Sequence, residues 1–156
     1  MTIETPLAAT LGRAGAIMQA AHDPWWVIAS AAVALHGVDA GHVADVDILL
    51  SVEDAERILP GIGVTVRPGP THAAFRSTVF GTWTGAPLPV EFMAGFVYRK
   101  GAQWVPVQPA TRQPVEVEGV ILFIPERREL ARLIMDFGRP KDMARAEGLS
   151  STARHF

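Results

Sequence analysis

Residues 25–50 read WWVIASAAVALHGVDAGHVADVDILL, and this stretch decides the fold. Its apolar start predicts a buried strand over residues 25–29. Ser30 is a good N-cap for a helix over residues 31–36, and the glycine that follows is a good helix stop. After a loop, a second strand is predicted over residues 45–50. The stretch therefore predicts a strand, a small-residue helix and another strand in close succession.

Two carboxylates mark the beginning of this second strand. Asp45 and Asp47 are two residues apart, so on a strand both side chains leave the same face, with Cα atoms roughly 6.5–7 Å apart. Val46 and Ile48 point the other way, toward a core. Two acids on one face of an apolar strand are unfavourable unless a cation lies between them. The pair is therefore a candidate ligand set for a divalent metal ion.

Length and composition indicate one compact domain. The chain has 156 residues, of which 49% are apolar and 19% are charged, so it can bury a real core and is not expected to be disordered. We expect a single domain over residues 1–156, because the sequence shows neither a repeat nor a linker. There are no cysteines, which excludes disulfides and thiolate metal sites and fits a reducing compartment.

The sequence contains no segment typical of export or of a membrane span. The N-terminus carries an early acid, Glu4, and no basic region typical of a signal peptide. The longest apolar run, residues 25–35, is about half as long as a membrane span. The net charge of −2 argues against a surface coated with cations for nucleic acid. We therefore expect a soluble, cytoplasmic protein with no membrane partner, in which a polyanionic ligand would need locally placed cations.

The rest of the chain predicts an α+β fold. Further helices are predicted over residues 6–21, 51–59, 125–137 and 141–149. Ser51 is predicted to cap the second of these, with Asp54 at its third position. Further strands are predicted over residues 62–67, 73–81, 87–93 and 120–124, and residues 94–118 show no clear pattern. Elements alternate early and strands follow in a run, which predicts a mixed β-sheet with helices mainly on one side.

The order of these features resembles a known fold. A small-residue pair, Ala29-Ser30, opens a helix, an Asp-x-Asp strand follows, and a later strand carries one more acid, Glu91. This order resembles the nucleotidyltransferase fold of the polymerase-beta type. The stretch Gly138-Arg139-Pro140-Lys141-Asp142-Met143 is similar to a Gly-Arg-Pro-Lys-Asp-Leu stretch of small bacterial nucleotidyltransferase-like proteins. These include proteins related to abortive-infection type nucleotidyltransferase toxins.

The resemblance implies a reaction and a set of site residues. The reaction would move a nucleoside monophosphate from a nucleoside triphosphate to an acceptor hydroxyl on a small molecule, an RNA or a protein. Mg²⁺, with two ions as one option, would neutralise the phosphates. The implied catalytic residues and metal ligands are the three acids Asp45, Asp47 and Glu91. The implied nucleotide and phosphate contacts are Ala29, Ser30, His42, Arg139 and Lys141.

Three departures from the family pattern bear on catalysis. Ala29 stands where relatives have the first glycine of a pair, and its methyl group would crowd a close approach of phosphate to the backbone. Where relatives often have an arginine before the acidic strand, this chain offers only His42, a cation when protonated. A lysine common in the penultimate helix is replaced by an apolar residue near Ile134.

Other interpretations of the same residues stay open. Asp45 and Asp47 would need no metal if they lay at a solvated strand end. Glu91 has an alternative as the ion-pair partner of Arg76 or Arg99 on a sheet surface.

Helix capping offers further alternatives for residues assigned above to the site. Ser30 has an alternative role as nothing more than an N-cap, and Asp142 is well placed to cap its own helix.

At the level of function, two readings compete with nucleotidyl transfer. One is a catalytically impaired protein of the same fold that acts as a binding or regulatory partner of another protein. The other is a phosphohydrolase that uses the same ions. In the first of these the acids would be dispensable, and in the second substrate would be consumed without any labelled acceptor.

Overall fold

The computed structural model describes residues 3–152 of the chain. Its helices are α1 (Thr5–Met18), α2 (Ala29–Leu35), α3 (Val52–Ile58), α4 (Arg127–Phe137) and α5 (Pro140–Thr152), with a 3-10 turn at Pro60–Ile62. Its strands are β1 (Trp26–Ile28), β2 (Val46–Leu50), β3 (Phe75–Arg76), β4 (Val79–Trp83), β5 (Val90–Ala94), β6 (Val97–Lys100), β7 (Gln103–Pro106), β8 (Gln113–Val117) and β9 (Val120–Ile124). Within this part of the chain, no helix has the length and apolar character that crossing a bilayer requires.

A four-stranded mixed sheet forms the centre, in the order β1-β2-β5-β4. β2 and β5 run parallel, and the outer strands β1 and β4 run antiparallel to their neighbours. A second sheet has the order β3-β6-β7, and β8 and β9 form a separate hairpin. The predicted α+β class with a mixed sheet is confirmed.

The two faces of the central sheet have different partners. Side chains alternate along a strand, so Ile48 on β2 and Phe92 on β5 point into the main core, where both are fully buried. All five helices contribute apolar residues to this core, which confirms helices mainly on one side. Leu49 and Met93 point to the opposite face and pack against a smaller cluster that includes Tyr98. The acids on β2 and β5 share this second face.

Local signals predicted several elements correctly. The amide of Asp54 donates a hydrogen bond to Ser51 Oγ at 3.1 Å, as the capping prediction for α3 requires. The strand predicted over residues 120–124 matches β9, and the acidic strand matches β2 to within one residue. At α3, β9 and β2, patterns within a few neighbouring residues were therefore sufficient to predict the element.

Three predictions about local structure were wrong. Ser30 does not cap α2, because the helix already begins at Ala29 and Ile28 occupies the N-cap position. Residues 62–67 do not form a strand: the amide of Val64 donates back to the carbonyl of Leu59 at the end of the preceding helix, and only Arg67 forms an isolated bridge. Residues 73–81 are not one strand, since β3 and β4 belong to different sheets.

Candidate active site

Three carboxylates converge on the second face of the central sheet. Asp47 on β2 and Glu91 on β5 are direct partners in the parallel register, so their side chains leave the sheet side by side. Asp45 immediately precedes β2. One oxygen from each acid lies within 4.8 Å of the others, and all three residues are half-buried. Three hard oxygen ligands at this spacing could hold a metal ion.

Burial and mutual repulsion make this cluster unfavourable without a cation. The pKa of Asp47 is raised to about 8, first because burial disfavours its charged form and then because Asp45 and Glu91 repel it. Arg139 and Lys141 act in the opposite direction on Asp47. The pKa of Glu91 is raised to about 7 by burial, by the charge of Asp45 and by a hydrogen bond with Asp45. A divalent ion between the acids would favour their charged forms, so the donor set fits Mg²⁺.

The acids open into a cavity of about 290 Å³, called the site cavity below. This volume is just below the range of about 300–1,000 Å³ that is typical of small-molecule sites. The structure brings together all the residues predicted for the site, since each of them lines this cavity: Ala29, Ser30, His42, Asp45, Asp47, Glu91, Arg139 and Lys141. Their roles in catalysis and binding stay predictions.

The helix that follows β1 begins with strained backbone. Ala29 has φ +59°, in the left-handed region that favours glycine. For a residue with a Cβ atom this conformation costs about 1–2 kcal/mol. The left-handed conformation therefore occurs at the position where the resemblance expects glycine. Ser30 follows it, is buried, and lines the site cavity from inside the first turn of α2.

The start of α5 brings cations to the cavity. Asp142 is 1% exposed and accepts hydrogen bonds from Arg139 Nε at 2.6 Å, Arg139 Nη2 at 3.1 Å and the Arg139 amide at 3.3 Å. Asp142 thus caps the N-terminus of its own helix, which is the alternative role that the sequence predicted for it. Arg145 lies 4.0 Å from the same carboxylate and donates to the carbonyl of Ala40. Lys141 is exposed and lines the cavity.

The arginines considered as partners of Glu91 are engaged elsewhere. The Arg76 guanidinium lies 3.9 Å from the centre of the Trp104 ring. Arg99 Nε donates to the carbonyl of Gly101 at 3.0 Å. Glu91 lies beside Asp45 instead, which leaves the three-acid arrangement as the observed one.

Sequence reasoning missed one wall of the site cavity. This wall contains Phe75, Phe96 and Phe137. Further lining residues that were not predicted are Ile28, Ala44, Gly69, Pro70, His72, Arg76, Ser77, Phe80, Met93 and Arg145. Most of them come from loops and short strands between residues 69 and 96, where no motif marks them. The available signal was composition, because this segment combines aromatic residues with a few basic ones.

Comparisons with known proteins identify the fold. No model of a known protein family and no curated protein sequence matches the chain. A crystal structure of a provisionally assigned nucleotidyltransferase from Thermotoga maritima matches with a TM-score of 0.68 and 25% identity, over 94% of this chain and 92% of that one. The chain has a nucleotidyltransferase-like fold.

Two structures of the antibiotic-resistance factor ANT(2″)-Ia share the nucleotidyltransferase-like fold. The solution structure matches with a TM-score of 0.60 and 11% identity, over 97% of this chain and 86% of that one. The crystal structure, a complex with adenylyl-2″-tobramycin, matches with a TM-score of 0.55 and 12% identity, over 96% of this chain and 90% of that one. At these identities the likeness concerns the fold alone. The predicted nucleotidyltransferase-like fold is confirmed.

Proposed function

We propose that the protein is a Mg²⁺-dependent nucleotidyltransferase, which transfers a nucleoside monophosphate from a nucleoside triphosphate to an acceptor hydroxyl. One observation carries the proposal: three carboxylates whose oxygens lie within 4.8 Å of one another open into a cavity that is also lined by basic residues. Acids alone would suit a bare metal site. Acids together with Arg139 and Lys141 suit a metal-bound polyanion.

In the proposed reaction the oxygen of the acceptor hydroxyl forms a bond to the α-phosphorus. The bond from that phosphorus to the oxygen bridging the α- and β-phosphates breaks, and pyrophosphate leaves. Bound Mg²⁺ would supply neutralisation of phosphate charge. Asp45 and Asp47 would hold it, and Glu91 would complete the ligand set and help take the proton of the hydroxyl. Ser30 would contact the terminal phosphates.

Basic side chains would orient the triphosphate from the α5 side. Asp142 fixes the Arg139 guanidinium with two side-chain hydrogen bonds, so this cation is pre-oriented. Lys141 reaches the same cavity from the exposed surface. His42 adds a third basic group from the loop before β2.

The charges of the site cavity favour a neutral or anionic acceptor. Its lining acids are the three proposed metal ligands, and its lining cations are Arg76, Arg139, Lys141 and Arg145. Once Mg²⁺ occupies the acids, no carboxylate of the cavity lining is left for a polycation such as tobramycin, whose adenylyl derivative is bound in the ANT(2″)-Ia crystal structure. We expect no competition by tobramycin with the acceptor of this protein.

Thermal unfolding with added nucleotides tests the proposal. Each nucleoside triphosphate with Mg²⁺ should raise the unfolding temperature of the wild type, and the effect should disappear in the double variant Asp45→Asn/Asp47→Asn. Glu116→Gln is a matched control, because Glu116 is an exposed acid on β8 away from the cavity. If no triphosphate with Mg²⁺ shifts the wild-type transition, the proposal fails. Pyrophosphate release then measures turnover, and transfer of labelled nucleotide to candidate acceptors identifies the acceptor.

The strained backbone at Ala29 favours a second candidate, a catalytically impaired binding partner. A methyl group at φ +59° stands at the position proposed for phosphate contact. In this case the double Asp→Asn variant would retain its protein partner and its cellular effect. Measured turnover that depends on the acids would exclude this candidate.

A further inference from the structure

Three phenylalanines form one wall of the site cavity, called the aromatic wall below. The rings of Phe75 and Phe96 are stacked at 5.7 Å between centroids, with an interplanar angle of 17°. Phe137 meets Phe75 edge-on at 5.3 Å and Phe96 at 6.2 Å. All three residues are half-buried, so each keeps part of its apolar surface open to the cavity.

The aromatic wall is supported from behind. Tyr98 is 5% exposed and packs edge-on against Phe137 at 5.7 Å between centroids. Its hydroxyl donates to the Asp136 carboxylate at 3.1 Å, next to the end of α4. The three rings come from β3, the β5–β6 loop and α4. Their packing against Tyr98 means that the aromatic wall is already formed without a ligand.

A guanidinium connects the aromatic wall to the acidic part of the cavity. Arg139 lies 5.5 Å from the centre of the Phe75 ring and 6.0 Å from that of Phe137. The same cation acts electrostatically on Asp47. The cavity thus offers metal ligands, then fixed positive charge, then an apolar surface. A nucleotide has the matching order of groups, with phosphates joined through a sugar to a flat ring.

We propose that the aromatic wall binds the base of the nucleoside triphosphate. This inference rests on the proposed function and adds the part of the chain that recognises the donor's ring. Contacts between aromatic side chains and bases tolerate any base, because every base has a π-face. We therefore expect all four nucleoside triphosphates to bind, with affinities within about tenfold of one another.

The test compares donors with and without a base. Binding of ATP, GTP, CTP, UTP and ribose 5-triphosphate, which lacks a base, is measured by calorimetry with Mg²⁺. The wild type should bind the four nucleotides at least about tenfold more tightly than ribose 5-triphosphate. Phe75→Leu and Phe137→Leu should lose most of this preference while binding ribose 5-triphosphate within about twofold of the wild type. Leucine keeps the apolar character of the wall and removes the ring.

A third phenylalanine provides the control. Phe123 on β9 packs edge-on against Trp25 at 5.5 Å and is not part of the cavity lining. Phe123→Leu should keep the wild-type preference for nucleotides. If the wild type binds ribose 5-triphosphate as tightly as ATP, the aromatic wall is not the base subsite, although the proposed function stands. If none of the five ligands binds, both proposals are overturned.

Discussion

At the scale of single residues, Ala29 combines an unfavourable conformation with a central position. Its φ of +59° is one that glycine adopts without cost. We expect Ala29→Gly to raise the free energy of unfolding by about 1 kcal/mol, because relief of the strain exceeds the added flexibility of the unfolded chain. Denaturant unfolding measures the change. The variant should also bind triphosphates more tightly, because the methyl group is gone.

Ala16→Gly is the matched control for this substitution. Ala16 is exposed within α1, where glycine should cost about 1 kcal/mol. A loss of stability at both positions would contradict the assignment of strain to Ala29.

The raised pKa of Asp47 predicts an unusual dependence of stability on pH. Between about pH 4 and about pH 8 the folded protein keeps a proton on Asp47 that the unfolded chain has released. The free energy of unfolding of the metal-free protein should therefore decrease as the pH rises through this window. Asp47→Asn removes the titrating group, so its stability should depend less on pH and exceed that of the wild type near pH 8. The pH dependence that remains in Asp47→Asn is attributed to Glu91, whose pKa is also raised.

Unfolding temperatures in EDTA at several pH values measure this effect. Glu116→Gln should show the wild-type dependence. Added Mg²⁺ should release protons on binding and flatten the wild-type curve, because the ion replaces the proton as the partner of the acids. Identical pH profiles for the wild type and Asp47→Asn would contradict the prediction.

At the scale of elements, the first turn of α5 depends on one buried carboxylate. Asp142 satisfies the Arg139 amide and guanidinium together. Asp142→Asn should lower the free energy of unfolding by roughly 2–4 kcal/mol, because charge-assisted hydrogen bonds are lost in a buried place. Triphosphate binding should weaken as well, since Arg139 is no longer oriented toward the cavity. Glu147→Gln, at an exposed position of the same helix, should leave both quantities nearly unchanged.

The elements that sequence predicted well are those whose signals are local. Ser51 and Asp54 lie within one turn of each other, and the two acids around Val46 lie at the beginning of one short strand, Asp45 just before it and Asp47 on it. The strand predicted over residues 73–81 failed because pairing partners decide it: Phe75 pairs with Tyr98 in one sheet, and Val79 pairs with Ala94 in another. The hydrophobic periodicity of residues 73–81 contains no signal that the pairing strand changes within the segment.

The same distinction applies to the candidate site. The acids could be found from sequence, because two carboxylates on an apolar strand are conspicuous and the resemblance supplies Glu91. The aromatic wall could not, because Phe75, Phe96 and Phe137 are far apart in the chain and each is ordinary in its local context. Only the packing of β3 and the β5–β6 loop against α4 brings them together.

At the scale of the whole molecule, charge is distributed unevenly. The chain carries a net charge of −2, yet basic residues are gathered at the site cavity. We expect triphosphate affinity to fall several-fold when NaCl is raised from about 50 to about 500 mM, because exposed cations are screened. Lys141→Gln should weaken binding and reduce this salt dependence. Lys100→Gln removes an exposed charge that faces Asp136 instead, and should behave as the wild type.

The parallel pairing of β2 with β5 makes the site a reporter of how the chain has folded. Asp47 and Glu91 are neighbours only in the observed register. A slip of one residue would turn Glu91 toward the helices and bring Phe92 out beside the aspartates. A misaligned chain could not chelate an ion with three carboxylates. A divalent metal ion present during refolding would therefore stabilise only molecules with the correct β2–β5 register. The rate at which metal binding appears during refolding would measure how fast β2 and β5 pair.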